Sequence, residues 1–377
     1  MQIGGWDTEL TGMYVAKFEA GFPEGNNTTL SKKSSISYTQ DTSWIRAVEA
    51  GTSEETTQTA RNWLDGIYGE NLPKISYPVF QPLTYSMNYI NHNDAYNICR
   101  VMNESGNIYG FTTSSSDTHL IKSSEWGMIS YLSYSQYGTN GQDIAVNNAN
   151  LNSGGTKRTA KAGKSGVDSV YGITGMTGGL ADGTETIVKI EEIRTLSENT
   201  PTPTGNIYAW NQQGGVVASS TRNMTGVYDL SGGLWERTAS YVANEHENLS
   251  LYGTSLAYNA GILKTTSTKY TMVYPYDSNV DNDTKEDTEE NLNAASNANY
   301  AKNTKIYGDG IRETSMAGTT ISSWQDDYST YVGLYYPFVF KGGYFWDSSH
   351  AGRFSFVCDS GFNTFTGGFR PVVVPIY

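Results

Sequence analysis

The stretch 341–377 constrains the fold of this chain most strongly, because short aromatic segments alternate in it with Gly and Ser turns. Phe354 and Phe356 fall on one face of a period-2 pattern, and their neighbours fall on the other. The stretch then closes on an apolar run at 372–374. The pattern predicts strands with one buried face, held between glycine turns.

Residues between the glycines of this stretch are predicted to form a contact surface for a ligand. Large aromatic residues are usually mostly buried, so each aromatic of this set fits a core position about as well as a contact position. Phe354, Phe356 and Phe369, by contrast, are assigned to the core. The predicted contact residues are Tyr344, Trp346, Asp347, Ser348, His350, Arg353, Ser355, Val357, Asp359, Ser360, Phe362, Asn363, Thr364 and Phe365.

Composition favours an irregular, turn-rich structure with aromatic surfaces, since the chain has 40 Gly, 28 Tyr and only 17% charged residues. A net charge of -13 argues against nucleic acid or an anionic membrane as the main partner, because phosphate binding needs clustered Lys and Arg. The sequence has no apolar run long enough to span a bilayer, so we expect no membrane insertion by this chain. Met1 leads into no signal-peptide pattern, and an origin as part of a longer exported protein stays open.

Cofactor sites find little support in the sequence. Cys99 and Cys358 are far apart and are interpreted as two free thiols. The acidic run from Asp277 resembles a calcium loop, but the position that requires Gly is Asn282 and the closing Glu is displaced to Glu289. We therefore predict no cofactor and an exposed insertion at this place, with a structural calcium ion left open.

Helical spacing is found in three places, over 53–66, 93–103 and 124–134, each behind a Ser or Asn that can cap the helix. Strand patterns are found over 12–19, 186–191 and 206–210. The predicted inward-facing residues are Ala95, Ile98, Cys99 and Met102 in the second helix and Trp126, Ile129 and Leu132 in the third.

We expect one domain over 1–377, because no fixed repeat and no Pro-rich linker divides the chain. Two polar stretches, near 139–166 and 277–305, are interpreted as exposed insertions in that domain. Signatures of catalysis are missing from the sequence: it contains neither Gly-x-Ser-x-Gly nor His-Glu-x-x-His, and its four histidines are scattered. A pair of carboxylates of the glycosidase type stays open without positive support.

Three segments in order resemble the formylglycine-generating enzyme superfamily. EWGMISYLSYS at 125–135 resembles its Glu-Trp helix, and GGFRPVVV at 367–374 resembles its terminal Gly-Phe-Arg strand. VYDLSGGLWERTAS at 227–240 resembles its Asp-x-x-Gly-Asn-Val-Trp-Glu-Trp segment. The matching residues are Asp229, Gly233, Trp235, Glu236, Gly368, Phe369 and Arg370.

This resemblance implies an α+β protein with a C-type lectin-like fold, made of irregular antiparallel strands, two main helices and long insertions. Trp126 and Trp235 are expected to be structural, and Glu236 to accept buried backbone hydrogen bonds or to help hold a structural cation. Oxidase members of the superfamily use two cysteines near the C-terminus, and its sulfoxide synthases use three histidines around iron. Only Cys358 lies in that region, so the resemblance implies a binding module without catalysis.

Within the superfamily the chain is similar to the variable proteins of diversity-generating retroelements and to related surface and phage proteins of gut bacteria. In those proteins, codons near the C-terminus vary by adenine mutagenesis and never become Lys, Glu, Gln, Met or Trp. Between Tyr344 and Thr366 the chain has no Lys, Glu, Gln or Met, and one Trp. The stretch 341–377 would then be the variable, ligand-binding region.

The expected partner is a protein or glycan on another cell or particle, and the expected location is extracellular, at a cell surface or on a virion. Aromatic and small polar side chains on a rigid scaffold are typical of such a binding surface. Two alternatives stay open. One is a phage virion or tail receptor-binding protein of the same fold, and the other is an enzyme of the same superfamily.

Overall fold

The computed structural model describes residues 10–21, 78–147, 176–177, 208–210, 216–277 and 289–376, apart from short gaps at 83–85, 88–89, 106, 108, 322–323, 345–346, 348–349, 363 and 365. The helix predicted over 53–66 and the strand predicted over 186–191 lie outside these residues. The described part is α+β, as predicted, with few helices and several sheets. The expectation of antiparallel strands holds only in part, because three strand pairs of the largest sheet are parallel.

Among the described residues, three helices have nine or more residues, where the superfamily resemblance implies two main helices. Two very short helices complete the set. The helices are α1 (His92–Arg100), α2 (Ser123–Tyr134), α3 (Glu247–Tyr252), α4 (Thr254–Ala257) and α5 (Glu289–Lys302).

Most strands are short. They are β1 (Tyr14–Val15), β2 (Ser116–Leu120), β3 (Met176–Thr177), β4 (Tyr208–Ala209), β5 (Trp235–Val242), β6 (Tyr258–Asn259), β7 (Ile262–Leu263), β8 (Met272–Tyr274), β9 (Thr319–Ile321), β10 (Tyr328–Thr330), β11 (Phe338–Lys341), β12 (Phe356–Asp359), β13 (Gly367–Phe369) and β14 (Pro371–Pro375). The strands predicted over 12–19 and 206–210 are present as β1 and β4, each two residues long.

A seven-stranded sheet organises the described residues around β5. Its strand order is β13-β5-β11-β12-β10-β9, and β8 pairs with the last residues of β5. All eight residues of β5 are buried. A smaller sheet, in the order β1-β14-β2, is antiparallel. Arg370 alone separates β13 from β14, so one residue connects the two sheets.

Helices α1 and α2 cover opposite faces of the seven-stranded sheet. On one face the His92 ring of α1 stacks on Phe338, with 4.4 Å between ring centroids. On the other face the backbone N–H of Ser123, at the start of α2, donates to Ser240 Oγ at 2.8 Å. Residues of β5 therefore contact a helix on both sides, which explains why even its Thr and Ser residues are buried.

The sequence predicts α1 well. Asn91 caps it by accepting a hydrogen bond from the backbone N–H of Asp94 at 2.8 Å. All four residues of the predicted stripe, from Ala95 to Met102, are buried.

Helix α2 begins one residue before its predicted start, and Lys122 takes the capping position instead of a serine. Trp126 and Ile129 are buried as predicted, but Leu132 is 59% exposed, so its assignment to the core was wrong. Leu132 follows Trp126 by six positions, which is about 240° around a helix axis, and it therefore faces away from the sheet.

The insertion predicted near 277–305 is not simply an exposed loop, because α5 fills its second half and packs on the core. Ala295 and Tyr300 are buried, and Asn299 is fully enclosed. The Asn299 side chain accepts from the backbone N–H of Asp277 at 2.9 Å and donates to the carbonyl of Val332 at 3.0 Å. Polar composition concealed this element, because its buried face is made of Ala, Ser and Asn as well as Tyr.

Candidate functional site

The stretch 341–377 contains a buried framework. Phe354, Phe356 and Phe369 are buried, which confirms their assignment to the core. Phe356 belongs to an apolar cluster that includes residues of β8, α5 and β11. These side chains fix the segment on the body of the protein.

Asp327 fixes the turn that precedes β12. A Cβ atom at position 352 would overlap the Asp327 carboxylate, so only Gly352 leaves room for it. The same carboxylate accepts the backbone N–H of Phe354 at 3.0 Å. Burial raises the pKa of Asp327 well above its ordinary value of 3.8, and the nearby Asp143 raises it further.

Arg353 and Ser355 were predicted to contact a ligand, and the structure corrects both assignments because each is fully buried. The Arg353 guanidinium donates to Ser133 Oγ at 2.7 Å and to Thr139 Oγ1 at 3.1 Å. Ser355 Oγ donates to the carbonyl of His350 at 2.8 Å. The second face of the predicted strand is thus covered by the end of α2 and the turn that follows it.

Asp359 and Ser360 are also buried, which corrects their assignment to the contact surface. Asp359 accepts from the Arg237 guanidinium at 2.9 Å and from the backbone N–H of Gly361 at 2.7 Å. Burial raises the pKa of Asp359, but the charge of Arg237 and the hydrogen bond from the Gly361 N–H outweigh it and leave the pKa below its ordinary value. Asp359 is therefore an internal anchor of the turn after β12.

Six of the predicted contact residues do reach solvent at least in part, and four more lie outside the described residues. Those outside are Trp346, Ser348, Asn363 and Phe365. Those that reach solvent are Tyr344, Asp347, His350, Val357, Phe362 and Thr364.

A compact loop presents Tyr344, Asp347 and His350. The backbone N–H of Tyr344 donates to Asp347 Oδ2 at 3.0 Å, and the backbone N–H of Asp347 donates back to the carbonyl of Tyr344 at 2.8 Å. His350 Nδ1 lies 2.9 Å from the carbonyl of Asp326. Since a carbonyl only accepts, Nδ1 carries the proton, and this bond connects the loop to the start of β10.

Two strand residues that sequence reasoning missed, Tyr328 and Thr330, lie on the same sheet face as Val357. Ser329 pairs with Phe356, so Tyr328 and Thr330 point to the face that Val357 also occupies. Tyr328 is 37% exposed. The alternation of Tyr328 and Thr330 with the buried Ser329 and Tyr331 is a usable sequence signal, but it lies outside the stretch 341–377.

Trp235 supports this face from below. Its ring meets the Tyr328 ring with 6.4 Å between centroids, although β11 and β12 separate their strands. It also stacks on Phe340 with a centroid distance of 6.5 Å. Beside it, the Trp235 backbone N–H donates to the carbonyl of Thr366 at 2.9 Å, which places the turn containing Phe362 and Thr364 next to Trp235.

The solvent-reaching residues of these neighbouring segments are here called the open face. It is made of sheet residues from β10 and β12, the loop after β11 and the turn after β12. Its members are Tyr328, Thr330, Tyr344, Asp347, His350, Val357, Phe362 and Thr364.

Arg237 and His92 lie beneath the open face, and their side chains bond to other residues of the protein. The Arg237 guanidinium donates to His92 Nδ1 at 3.0 Å and to the carbonyl of Phe362 at 2.7 Å. His92 Nε2 lies 2.9 Å from the carbonyl of Thr238, so both ring nitrogens have internal partners. Burial lowers the pKa of His92, which keeps the ring neutral.

The three segments with the superfamily resemblance meet at Arg370. Its guanidinium forms a buried ion pair with Glu236 and donates to the carbonyl of Tyr228 at 2.9 Å. The Trp126 ring lies 5.7 Å from it. Trp126 and Trp235 are buried, as expected for structural residues. Among the described residues, the bonds of Glu236 go to the Arg370 guanidinium, where backbone N–H groups or a structural cation were expected.

The residues that the structure describes contain no group of three or more His, Cys, Asp or Glu side chains that could hold a metal ion. Cys99 and Cys358 are both free thiols, as predicted, and burial raises the pKa of Cys358 to about 12. In the same described ranges, no helix has the length and apolar character to cross a membrane.

No protein-family model matches the chain, and no curated protein matches it. The geometry of the open face and of its framework is therefore the basis for a functional assignment.

Proposed function

We propose that this chain is a non-catalytic ligand-binding protein that displays a retroelement-varied surface on a C-type lectin-like scaffold of the formylglycine-generating enzyme superfamily. The proposal rests on the separation of buried from solvent-reaching residues within 341–377. Buried residues such as Phe354, Arg353 and Asp359 hold the backbone, and residues between them reach solvent. Exchange of the solvent-reaching side chains leaves that framework untouched, which is the requirement for a surface that varies.

The meeting of the three motif segments supports the scaffold assignment. Asp229, Glu236 and Arg370 come from two of the resembling segments, and Trp126 comes from the third. All four are buried in one place, with Arg370 donating also to the carbonyl of Asp229 at 3.3 Å. Residues so far apart in sequence form one structural centre, as expected of motifs that specify a common fold.

The chemistry of the open face supports binding over catalysis. Tyr and Phe provide contact area at low cost in conformational entropy, and Thr, Asp and His provide adaptable hydrogen bonds. The partner is a protein or glycan on another cell or particle, met outside the cell, at its surface or on a virion.

Sequencing of the encoding locus across isolates tests the retroelement proposal. We expect codons between 344 and 366 to vary at adenines of a nearby template repeat. Codons for Gly352, Phe354, Gly368, Phe369 and Arg370 should stay constant, because those residues are buried. Even drift over the whole gene, with no template repeat, would refute the retroelement origin.

A stability measurement tests the binding surface itself. We expect the triple variant Tyr344→Ala, Val357→Ala and Thr364→Ala to lose no more than about 1 kcal/mol of unfolding free energy, as is usual for surface changes. Phe354→Ala is the matched core control and should lose about 3 to 5 kcal/mol. Equal losses in urea titrations of the two variants would show that the open face belongs to the core.

A further inference from the structure

The last part of the chain keeps all its Lys and Arg side chains inside. From 314 to 377 the sequence contains only three Lys or Arg residues, which are Lys341, Arg353 and Arg370. All three are fully buried.

Each of these cations is bonded internally. Lys341 Nζ donates to the carbonyl of Asp309 at 3.0 Å, and Arg353 binds Ser133 and Thr139. Arg370 is paired with Glu236. None of the three can therefore meet a ligand at the surface.

Carboxylates of the same segment are divided differently. Asp327 and Asp359 are buried, whereas Asp326 is exposed and Asp347 is half-buried. The bond between His350 and the Asp326 carbonyl brings the loop that carries Asp347 next to Asp326. Residues of this segment that the structure leaves undescribed are Ser, Phe, Trp, Asn and Tyr, so they add no charged side chain. Among the members of the open face and the adjacent Asp326, the permanently charged side chains are thus carboxylates.

Tyr328 adds an aromatic ring to the same surface. Its ring packs edge-on against Trp235, which stacks on Phe340, so the tyrosine is held in place before a ligand arrives. Such an anchor loses little conformational entropy on binding. Aromatic rings beside carboxylates attract ammonium and guanidinium groups through both cation–π and Coulomb interactions.

We propose that the open face binds a protein or peptide surface that presents lysine or arginine side chains, with Tyr328 as its anchor outside the stretch 341–377. This inference rests on the proposed binding function and names the partner class for it. A partner rich in phosphate or carboxylate would place like charges against Asp326 and Asp347 and meet no exposed Lys or Arg of residues 314–377.

A random peptide-display library, selected against the intact wild-type protein, tests the proposal. We expect selected peptides to be enriched in Lys and Arg relative to the unselected library. Binding of a synthetic selected peptide should weaken about tenfold in Tyr328→Ala, as for an aromatic hot spot, and about threefold in Asp326→Asn. Asn tolerates the left-handed backbone at this position, so the second change keeps the loop geometry.

Glu104→Gln is the matched control, because it also removes one exposed carboxylate but lies after α1, beside the three-stranded sheet. It should leave the affinity unchanged. Two results would overturn the inference of a basic partner. One is a set of selected peptides without an excess of Lys and Arg. The other is binding to a glycan array when the library yields no selected peptide. If binding to the glycan was lost in Tyr328→Ala, the proposed ligand-binding function would stand. Binding that no open-face substitution weakens would overturn both.

Discussion

The guanidinium of Arg370 joins segments that lie far apart in the chain. It donates to the carbonyl of Ala16 at 2.9 Å, to that of Tyr228 at 2.9 Å, and to both oxygens of Glu236. Removing water from a buried ion pair costs free energy, and removing one partner leaves the other charge uncompensated. The pair therefore acts as a specific connection between the N-terminal strand and the large sheet.

Glu19 makes this centre sensitive to pH. Its carboxyl accepts from Ser86 Oγ and from the backbone N–H of Leu234. Burial raises its pKa well above the ordinary value of 4.5, and the charges of Asp229 and Glu236 raise it further. A raised carboxyl pKa means that the folded state holds the proton more tightly, so stability falls as pH rises from 4.5 toward the folded pKa.

We therefore predict that Glu19→Gln reduces the loss of stability with rising pH. Between pH 5 and 8 the wild type should lose at least about 1.4 kcal/mol more unfolding free energy than the variant, which corresponds to one pKa unit. The difference between the two proteins reports the titration of Glu19 together with its effect on the neighbouring carboxyls of Asp229 and Glu236. Urea titrations at each pH measure it, and parallel pH profiles would contradict the prediction.

Gly352 is a second residue whose role is steric. Because a Cβ atom would overlap the Asp327 carboxylate, Gly352→Ala should cost about 3 kcal/mol of unfolding free energy. Gly12→Ala is the control, since a Cβ there would meet nothing within 4 Å. Thermal and urea unfolding give both values. A neutral Gly352→Ala would mean that the Asp327 side chain can move away freely.

At the scale of elements, α1 and α2 follow from local patterns, whereas α5 does not. Apolar residues spaced three and four apart mark α1, and a capping Asn91 marks its start. Helix α5 has polar residues on its packed side, with Asn299 and Asn303 enclosed. Those side chains replace apolar packing with hydrogen bonds to neighbouring backbone.

For α5, we predict that Asn299→Ala costs about 2 kcal/mol, because it leaves the buried carbonyl of Val332 and the N–H of Asp277 without this partner. Lys302→Ala, on the exposed side of the same helix, is the control and should change stability by less than about 0.5 kcal/mol. Urea titration compares them. Equal, small losses of stability in both variants would show that 289–302 is an exposed insertion.

At the scale of the whole molecule, the last part of the chain has its Lys and Arg side chains in the interior, whereas two of its Asp side chains reach solvent. Lys and Arg side chains are rarely buried unless they are paired. Lys341, Arg353 and Arg370 are buried here by neighbouring segments. Their partners come from other parts of the chain, so the framework beneath the open face depends on the complete fold.

The two thiols report on that complete fold. Cys99 is buried and Cys358 is half-buried, and burial raises the pKa of both above the ordinary value. Since the thiolate is the reactive form, we expect a disulfide reagent at pH 8 to modify neither cysteine in the native protein and both in denaturant. Serine variants at each position assign the signals. Fast native reaction of Cys358 would show that β12 opens locally.

Features set by near neighbours in sequence could be predicted, as the positions of α1, α2 and the buried Phe354, Phe356 and Phe369 demonstrate. Apolar spacing and end caps act over a few residues, so they are readable without the fold. The α+β class was an implication of the superfamily resemblance. The open face could be predicted only in part, since six of the ten proposed residues that the structure describes reach solvent, four are buried and Tyr328 was missed.

Burial of polar residues was decided by tertiary structure alone. Arg and Asp side chains occur both in binding surfaces and in protein interiors. For Arg353 and Asp359, only the segments that cover them decide between the two. Arg353 is enclosed by residues after α2 and Asp359 by Arg237, all more than a hundred positions away. A charged side chain becomes internal only when distant segments supply its partners, and the local sequence carries no record of that pairing.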